Sequence, residues 1–441
     1  MIVRDLQGLA LSGASLSSLS HYENALALFR CYRGDPLAAV DAALAESPGF
    51  VMAHVLRAYL HLLGTEPDAL PEARACVACA LRLPATERER GHLAAIAALA
   101  AGHWHRAGHF LEDVAIAYPR DLLALQAGHQ VDFFCGNSRM LRDRIARALP
   151  AWDAQRPGYH ALLGMLAFGL EETASYAQAE ATGRQAVQLE PRDAWAQHAV
   201  AHVLEMQSRQ HEGIAWMHAN PAAWAADSFL QVHNWWHLAL YHLELGEYAE
   251  VLALFDGPIA GGRSTLVLDM VDASALLWRL HLLGVDVGPR WQALAARWEP
   301  LAGTGHYAFN DAHAMMAFVA ADRADAADAL LEAQQRALQG RGDNARFTAE
   351  VGLPVTRAIR AFGTGDYAAC VQLLRPVRHI AQRFGGSHAQ RDVLDLTLIE
   401  AALRAGQQPL AIALAAERLQ LRPDSPLTHG FVRRADAPLA A

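Results

Sequence analysis

The 441-residue chain is 53% hydrophobic, carries a net charge of −9, and has no lysine, so all of its 37 basic residues are arginine. A core of that size suits one long domain or a few compact ones. The acidic balance argues against a phosphate-backbone grip on nucleic acid or anionic lipid, and the missing lysine removes Walker-A loops, Schiff bases and lysine nucleophiles.

The opening stretch MIVRDLQGLALSGASLSSLS places Asp5 and Gln7 where a signal peptide needs an unbroken apolar core. The longest apolar run, LAAIAALAA at 93–101, falls well short of the roughly 18 residues of a membrane span. A cytoplasmic protein without membrane contact is expected. The five cysteines, odd in number, suit a reducing compartment. Cys76 and Cys79 form CVAC inside the apolar run ARACVACALRL with no second pair, a pattern of packing rather than of zinc or redox chemistry. The Ala- and Arg-rich composition is that of a GC-rich bacterial genome.

From there the chain is Ala/Leu-rich segments of helical period, broken by Gly, Pro and Asp/Asn, with almost no strand signal. A loose motif recurs: a small turn residue, an aromatic two positions on, an alanine, and a closing proline. It reads as Gly102, Trp104, Ala107 and Pro119; as Tyr176, Ala179, Ala186 and Pro191; as Gly246, Tyr248 and Phe255; as Gly365 and Tyr367; and as Gly406, Ala411 and Pro423. These are the turn and closing positions of tetratricopeptide-like helix pairs, with spacing that drifts above the ideal of about 34 residues. The expected fold is all-α: a right-handed α-α superhelix (α-solenoid) of degenerate repeats. It reads as one array over 1–441 with less regular ends and first helices lining a concave groove. PIAGGRST at 258–265 and FGGSHAQRD at 384–392 read as loop insertions. The charged runs ERER at 87–90 and GLEE at 169–172 read as solvated or inter-repeat ion-pair faces.

Seven blocks also resemble the tetratricopeptide repeat protein 38 family: ERERGH at 87–92, PRDLLAL at 119–125, GMLAFGLEE at 164–172, DAWAQHAVAHVLEM at 193–206, HNWWHLALYHLE at 233–244, FNDAHAMMAF at 309–318 and GGSHAQRD at 385–392. The resemblance runs in order over nearly the whole chain. It implies an α-solenoid and brings no catalytic set with it, so function has to be argued from the residues.

On an ideal helix His198, His202 and Glu205 fall within a stripe of about 60°, beside the apolar face of Ala196, Ala199, Val203 and Met206. His233, His237 and Glu244 repeat the stripe one hairpin later. These positions point a His/Glu/Trp floor into the groove, with Trp235 and Trp236 as aromatic walls. Asn310, Asp311 and His313, and then His388, Gln390, Arg391 and Asp392, join them if the superhelix curls far enough. Such a set suits an anionic or amide-bearing ligand, because Arg forks bind carboxylates and His donates or accepts near neutral pH.

The residues leave alternatives open. His198, His202, Glu205, His233, Trp236, His237, Asn310, Asp311, His313, His388, Arg391 and Asp392 are the expected ligand-binding set, for a small polar ligand or a peptide segment. A His-based enzyme, with or without metal, would draw on His198, His202, His313, Asp311 and His388. Neither HAVAH nor HNWWH carries the glutamate of HExxH, and GGSH around Ser387 is not a GxSxG elbow. No metal and no cofactor is expected. Inter-helix hydrogen bonding is the plain structural alternative for each histidine.

Overall fold

The computed structural model describes residues 2–437. The protein is all-α, a repeat of antiparallel helix hairpins of the α-solenoid type. Its one sheet among the described residues pairs two-residue strands, Val3–Arg4 and Ala10–Leu11. Among the described residues, no helix is long and apolar enough to cross a membrane. Where the sequence suggests one array, the chain divides into two compact units, residues 1–200 with 221–231 and residues 201–220 with 232–441.

The hairpin turns explain both the motif and its drift. Gly102, Gly246, Gly365 and Gly406 have φ of 80°, 77°, 81° and 66°, the left-handed region that glycine enters without a Cβ clash. Ala174, Ser208 and Asp322 occupy the same turn position elsewhere, with φ of 60°, 55° and 55°. An L-residue held there gives up roughly 1–2 kcal/mol. The backbone turn is kept where its residue type is not.

In the first unit the first helix of a hairpin is buried nearly all round. Leu122–Phe134 is buried at every residue except Phe133, whereas its partner Ser138–Ala148 buries only Leu141, Arg144, Ile145 and Ala148. A helix covered on every face needs its polar residues partnered inside. Asp121 caps that helix at the Ala124 amide (3.0 Å), accepts from Arg88 (2.7 Å) and lies 3.0 Å from His92 Nε2, which leads on to Tyr59. Arg88, Glu89, Glu171 and Glu172 are all buried, while Glu87 and Arg90 are exposed, so ERER splits into a solvated side and an ion-pairing side that meets Asp121, and the glutamates of GLEE are interior. Cys76 is buried and accepts from Arg57 (2.9 Å), the packing role expected of CVAC.

The second unit stacks Gln231–Glu244, Val267–Leu282, Ala308–Ala320, Leu353–Gly363 and His388–Arg404 as first helices. The last returns onto the second: Trp278 Nε1 donates to Thr397 Oγ1 (3.0 Å) and Arg279 Nη2 donates to the Ala389 carbonyl (2.6 Å). Gly385 and Gly386, with φ of 91° and 81°, make the turn before it. A Cβ on Gly386 would meet the Phe309 ring at 2.5 Å, so the glycines let the GGSH and FNDAH blocks touch. The helix His388–Arg404 thus packs against the inner face of this unit, which the sequence reads as the floor of a concave groove.

Candidate functional site

Within the second unit the first helices turn their polar residues toward one interior. Trp236, fully buried, is its hub. The His233 ring stacks on it (centroids 5.3 Å, 14°), His237 meets it edge-on (5.0 Å), and the Arg279 guanidinium lies over it at 5.3 Å. His202 packs against His237 at 4.4 Å, and His233 against His237 at 4.9 Å. The ring nitrogens of His202, His233 and His237 lie within 4.8 Å of one another.

Two carboxylates orient these rings. His233 Nδ1 is 2.8 Å from Asp272 Oδ2, and His237 Nδ1 is 3.1 Å from Glu205 Oε2. His202 and His237 are wholly buried. Burial, and then the neighbouring histidine charge, pushes both well below the usual imidazole range. They are neutral at physiological pH, so each ring has one nitrogen lone pair to offer.

Beside the histidines is a charged layer. Among the described residues, Arg279 bonds the main-chain carbonyls of Ala275 and Ala389 alone. Its pKa is pulled down to about 10, chiefly by burial, with Asp392 and Glu205 opposing and Arg422 and Arg418 adding to the fall. Arg418 forks onto Asp392 (2.5 and 3.0 Å), and Arg422 lies 3.6 Å from Glu205. Burial of Asp392 is outweighed by Arg418 and Arg422, which hold its carboxyl below the usual range. Glu205, Tyr241, Glu244, Arg279, Asp392 and Arg422 enclose a void of about 20 Å³, room for about one water.

The remaining expected residues divide. Asn310, Asp311 and His313 are buried on Ala308–Ala320. His313 bonds the Phe309 carbonyl (2.8 Å) and is lowered to about 4 by burial, against that bond, while feeling the Arg279 and Asp272 charges. It therefore borders the centre. Asp311 faces Gln334 (3.2 Å) and is raised to about 7 by burial. His388 is near enough to bear on His202. Arg391 turns back onto the Gly386 carbonyl of its own loop. Ser387 is a helix cap, accepting from the Gln390 amide while Gln390 accepts from the Ser387 amide. His198, one turn before His202 on the same helix, belongs to the first unit, where it packs on Phe168 (5.3 Å) and Trp195 (4.9 Å).

Asp272, Arg279, Arg418 and Arg422 were not singled out from sequence. Asp272 and Arg279 sit seven residues apart on one helix, and Arg418 and Arg422 four apart in ERLQLRPD. Both pairs share a face, a signal that a search for buried-face charges would have found. A separate hollow of about 650 Å³ among Phe255, Asp256, Arg263, Arg290 and Arg297 shares no lining residue with the centre.

No family model matches the chain. It is similar to a chain of the APC/C hetero-tetramer Cut9-Hcn1 at 12% identity and a TM-score of 0.43, over 87% of this chain and 63% of that one. It is also similar to yeast Tom70 at 13% identity and a TM-score of 0.32, over 94% of this chain and 88% of that one. The chain thus spans under two thirds of the first of these proteins.

Proposed function

We propose that this is a cytoplasmic, bacterial member of the tetratricopeptide repeat protein 38 family. In this reading the second unit binds a small polar ligand, carboxylate- or amide-bearing, in a closed interior. The observation that carries it is the convergence of His202, His233, His237 and Arg279 on Trp236, with Asp272 and Glu205 orienting the rings. Buried ionisable groups with shifted pKa values in one place mark functional sites more often than structural ones of the same number would suggest.

A small ligand is favoured over a peptide because a peptide needs an exposed edge or groove along its length. The return of His388–Arg404 onto Val267–Leu282 supports a covered face here. Arg279 supplies a guanidinium that no carboxylate among the described residues bonds directly, which an anionic ligand group would satisfy. The water-sized void means that the Gln408–Leu421 side, with Arg418 and Arg422, moves outward on entry. The enzyme reading rests on the same parts: His233 with Asp272 at 2.8 Å is a base with its orienting carboxylate.

The experiment is a thermal-shift screen of small mono- and dicarboxylates and their amides, run on wild type and Arg279→Gln. The proposal expects at least one to raise the wild-type melting temperature in a concentration-dependent way and to lose that effect in the variant. A folded wild type that no compound shifts contradicts it.

A further inference from the structure

We infer that His202, His233 and His237 form a binding site for one divalent transition-metal ion of the zinc class. The inference rests on the ligand-centre reading and names what would anchor the ligand there. It departs from the absence of metal expected from spacing alone.

The second unit contributes three histidines to the ligand set. The ring nitrogens lie within 4.8 Å of one another. In a tetrahedral zinc site with bonds of about 2.05 Å, the nitrogens are about 3.4 Å apart, so an ion would draw the rings inward by roughly 1 Å. His202 comes from one helix, and His233 and His237 come from successive turns of the next first helix. Imidazole nitrogen suits zinc, copper, nickel or iron and not magnesium or calcium.

The outer partners distinguish this group from three histidines that merely pack. Asp272 Oδ2 engages Nδ1 of His233 and Glu205 Oε2 engages Nδ1 of His237. That is the carboxylate–histidine arrangement that fixes the tautomer and leaves Nε2 as the metal-binding atom. Asp272 is 2% exposed, and its other oxygen, Oδ1, is buried with no donor among the described residues. A carboxylate so placed favours added positive charge nearby. Asp272 and Glu205 together would offset the two charges of the ion, while the nearby Arg279 is answered by Asp392. Three nitrogens from the second unit match the three protein ligands of zinc sites that bind substrate or water. A carboxylate or amide oxygen of the ligand would complete the coordination. His233, with 16% of its side chain exposed, marks the side of entry.

The test uses the full chain, stripped with chelator and exchanged into metal-free buffer, then titrated calorimetrically with Zn²⁺ and spectroscopically with Co²⁺. One ion per chain is expected, with the intense visible bands of four-coordinate Co²⁺. His233→Ala, at the least buried ligand, should abolish the bands with helical circular dichroism intact. Asp272→Asn should weaken Zn²⁺ binding about 10- to 100-fold while keeping one ion per chain. A folded wild type that takes up no Zn²⁺, or uptake unchanged in His233→Ala, overturns the inference. Small-ligand shifts persisting in chelator would sink the metal anchor and leave the ligand centre standing. Stoichiometric Zn²⁺ uptake without any ligand shift does the reverse.

Discussion

Replacing Asp311 with asparagine should stabilise the protein above neutral pH and do nothing for it in acid. Asp311 is buried on Ala308–Ala320, its carboxylate accepting from the Gln334 amide at 3.2 Å, and burial raises it from 3.8 to about 7. Because the folded value lies above the unfolded one, the folded state holds an extra proton between them. The stability tied to that proton is fully present below about pH 4 and is lost as pH rises through about 7. Across that interval the loss is about 1.4 kcal/mol per pH unit, or about 4 kcal/mol in all. Asparagine keeps the shape and the acceptor for Gln334 without a proton to lose. Urea unfolding at pH 5 and pH 8, for wild type and Asp311→Asn, gives four free energies whose double difference isolates the carboxyl. The expected value is about 3 kcal/mol in favour of the variant at pH 8 relative to pH 5. A double difference near zero would refute the reasoning and mean that Asp311 is solvated or otherwise paired.

Asp121→Ala should cost about 3–5 kcal/mol at neutral pH, since it leaves the Arg88 guanidinium buried without its partner; denaturant unfolding reads it. Burial opposes the charge of Asp121 but His92 and Arg88 outweigh it, so its pKa is depressed. Its stabilisation is present above about pH 4 and fades below, and Asp121→Asn should flatten that acid limb. Ala174→Gly, at a φ of 60°, should stabilise by up to about 1 kcal/mol, seen as a higher melting temperature. Gly386→Ala, with a φ of 81° and the Phe309 ring 2.5 Å from its Cβ, should destabilise by several kcal/mol and weaken whatever the second unit binds.

The repeat fold was legible because helical period and turn chemistry are local. Gly102, Gly246, Gly365 and Gly406 announce left-handed turns by residue type, whereas Ala174 and Asp322 hide the same turns because tertiary packing carries the strain. The histidine stripes were legible too, since His202 with Glu205 and His233 with His237 share helix faces. What they do depends on contacts between helices far apart in sequence. Asp272 reaches His233 over 39 residues, and Arg279 reaches Ala389 over 110. That return packs a helix against the inner face, which the sequence reads as a groove floor. ERER left two readings open for the same reason: Arg88 is a solvated charge or an inter-repeat partner until Asp121, 33 residues on, is folded against it.

The claim that the second unit closes around a small ligand is tested most directly by native mass spectrometry of the full chain, purified without chelator. The account predicts a non-covalent adduct of small mass, one per chain, that is absent from Arg279→Gln and His233→Ala prepared alongside. A wild type that flies as the bare polypeptide from several independent expressions, and gains no adduct when small carboxylates and Zn²⁺ are supplied together, would contradict it.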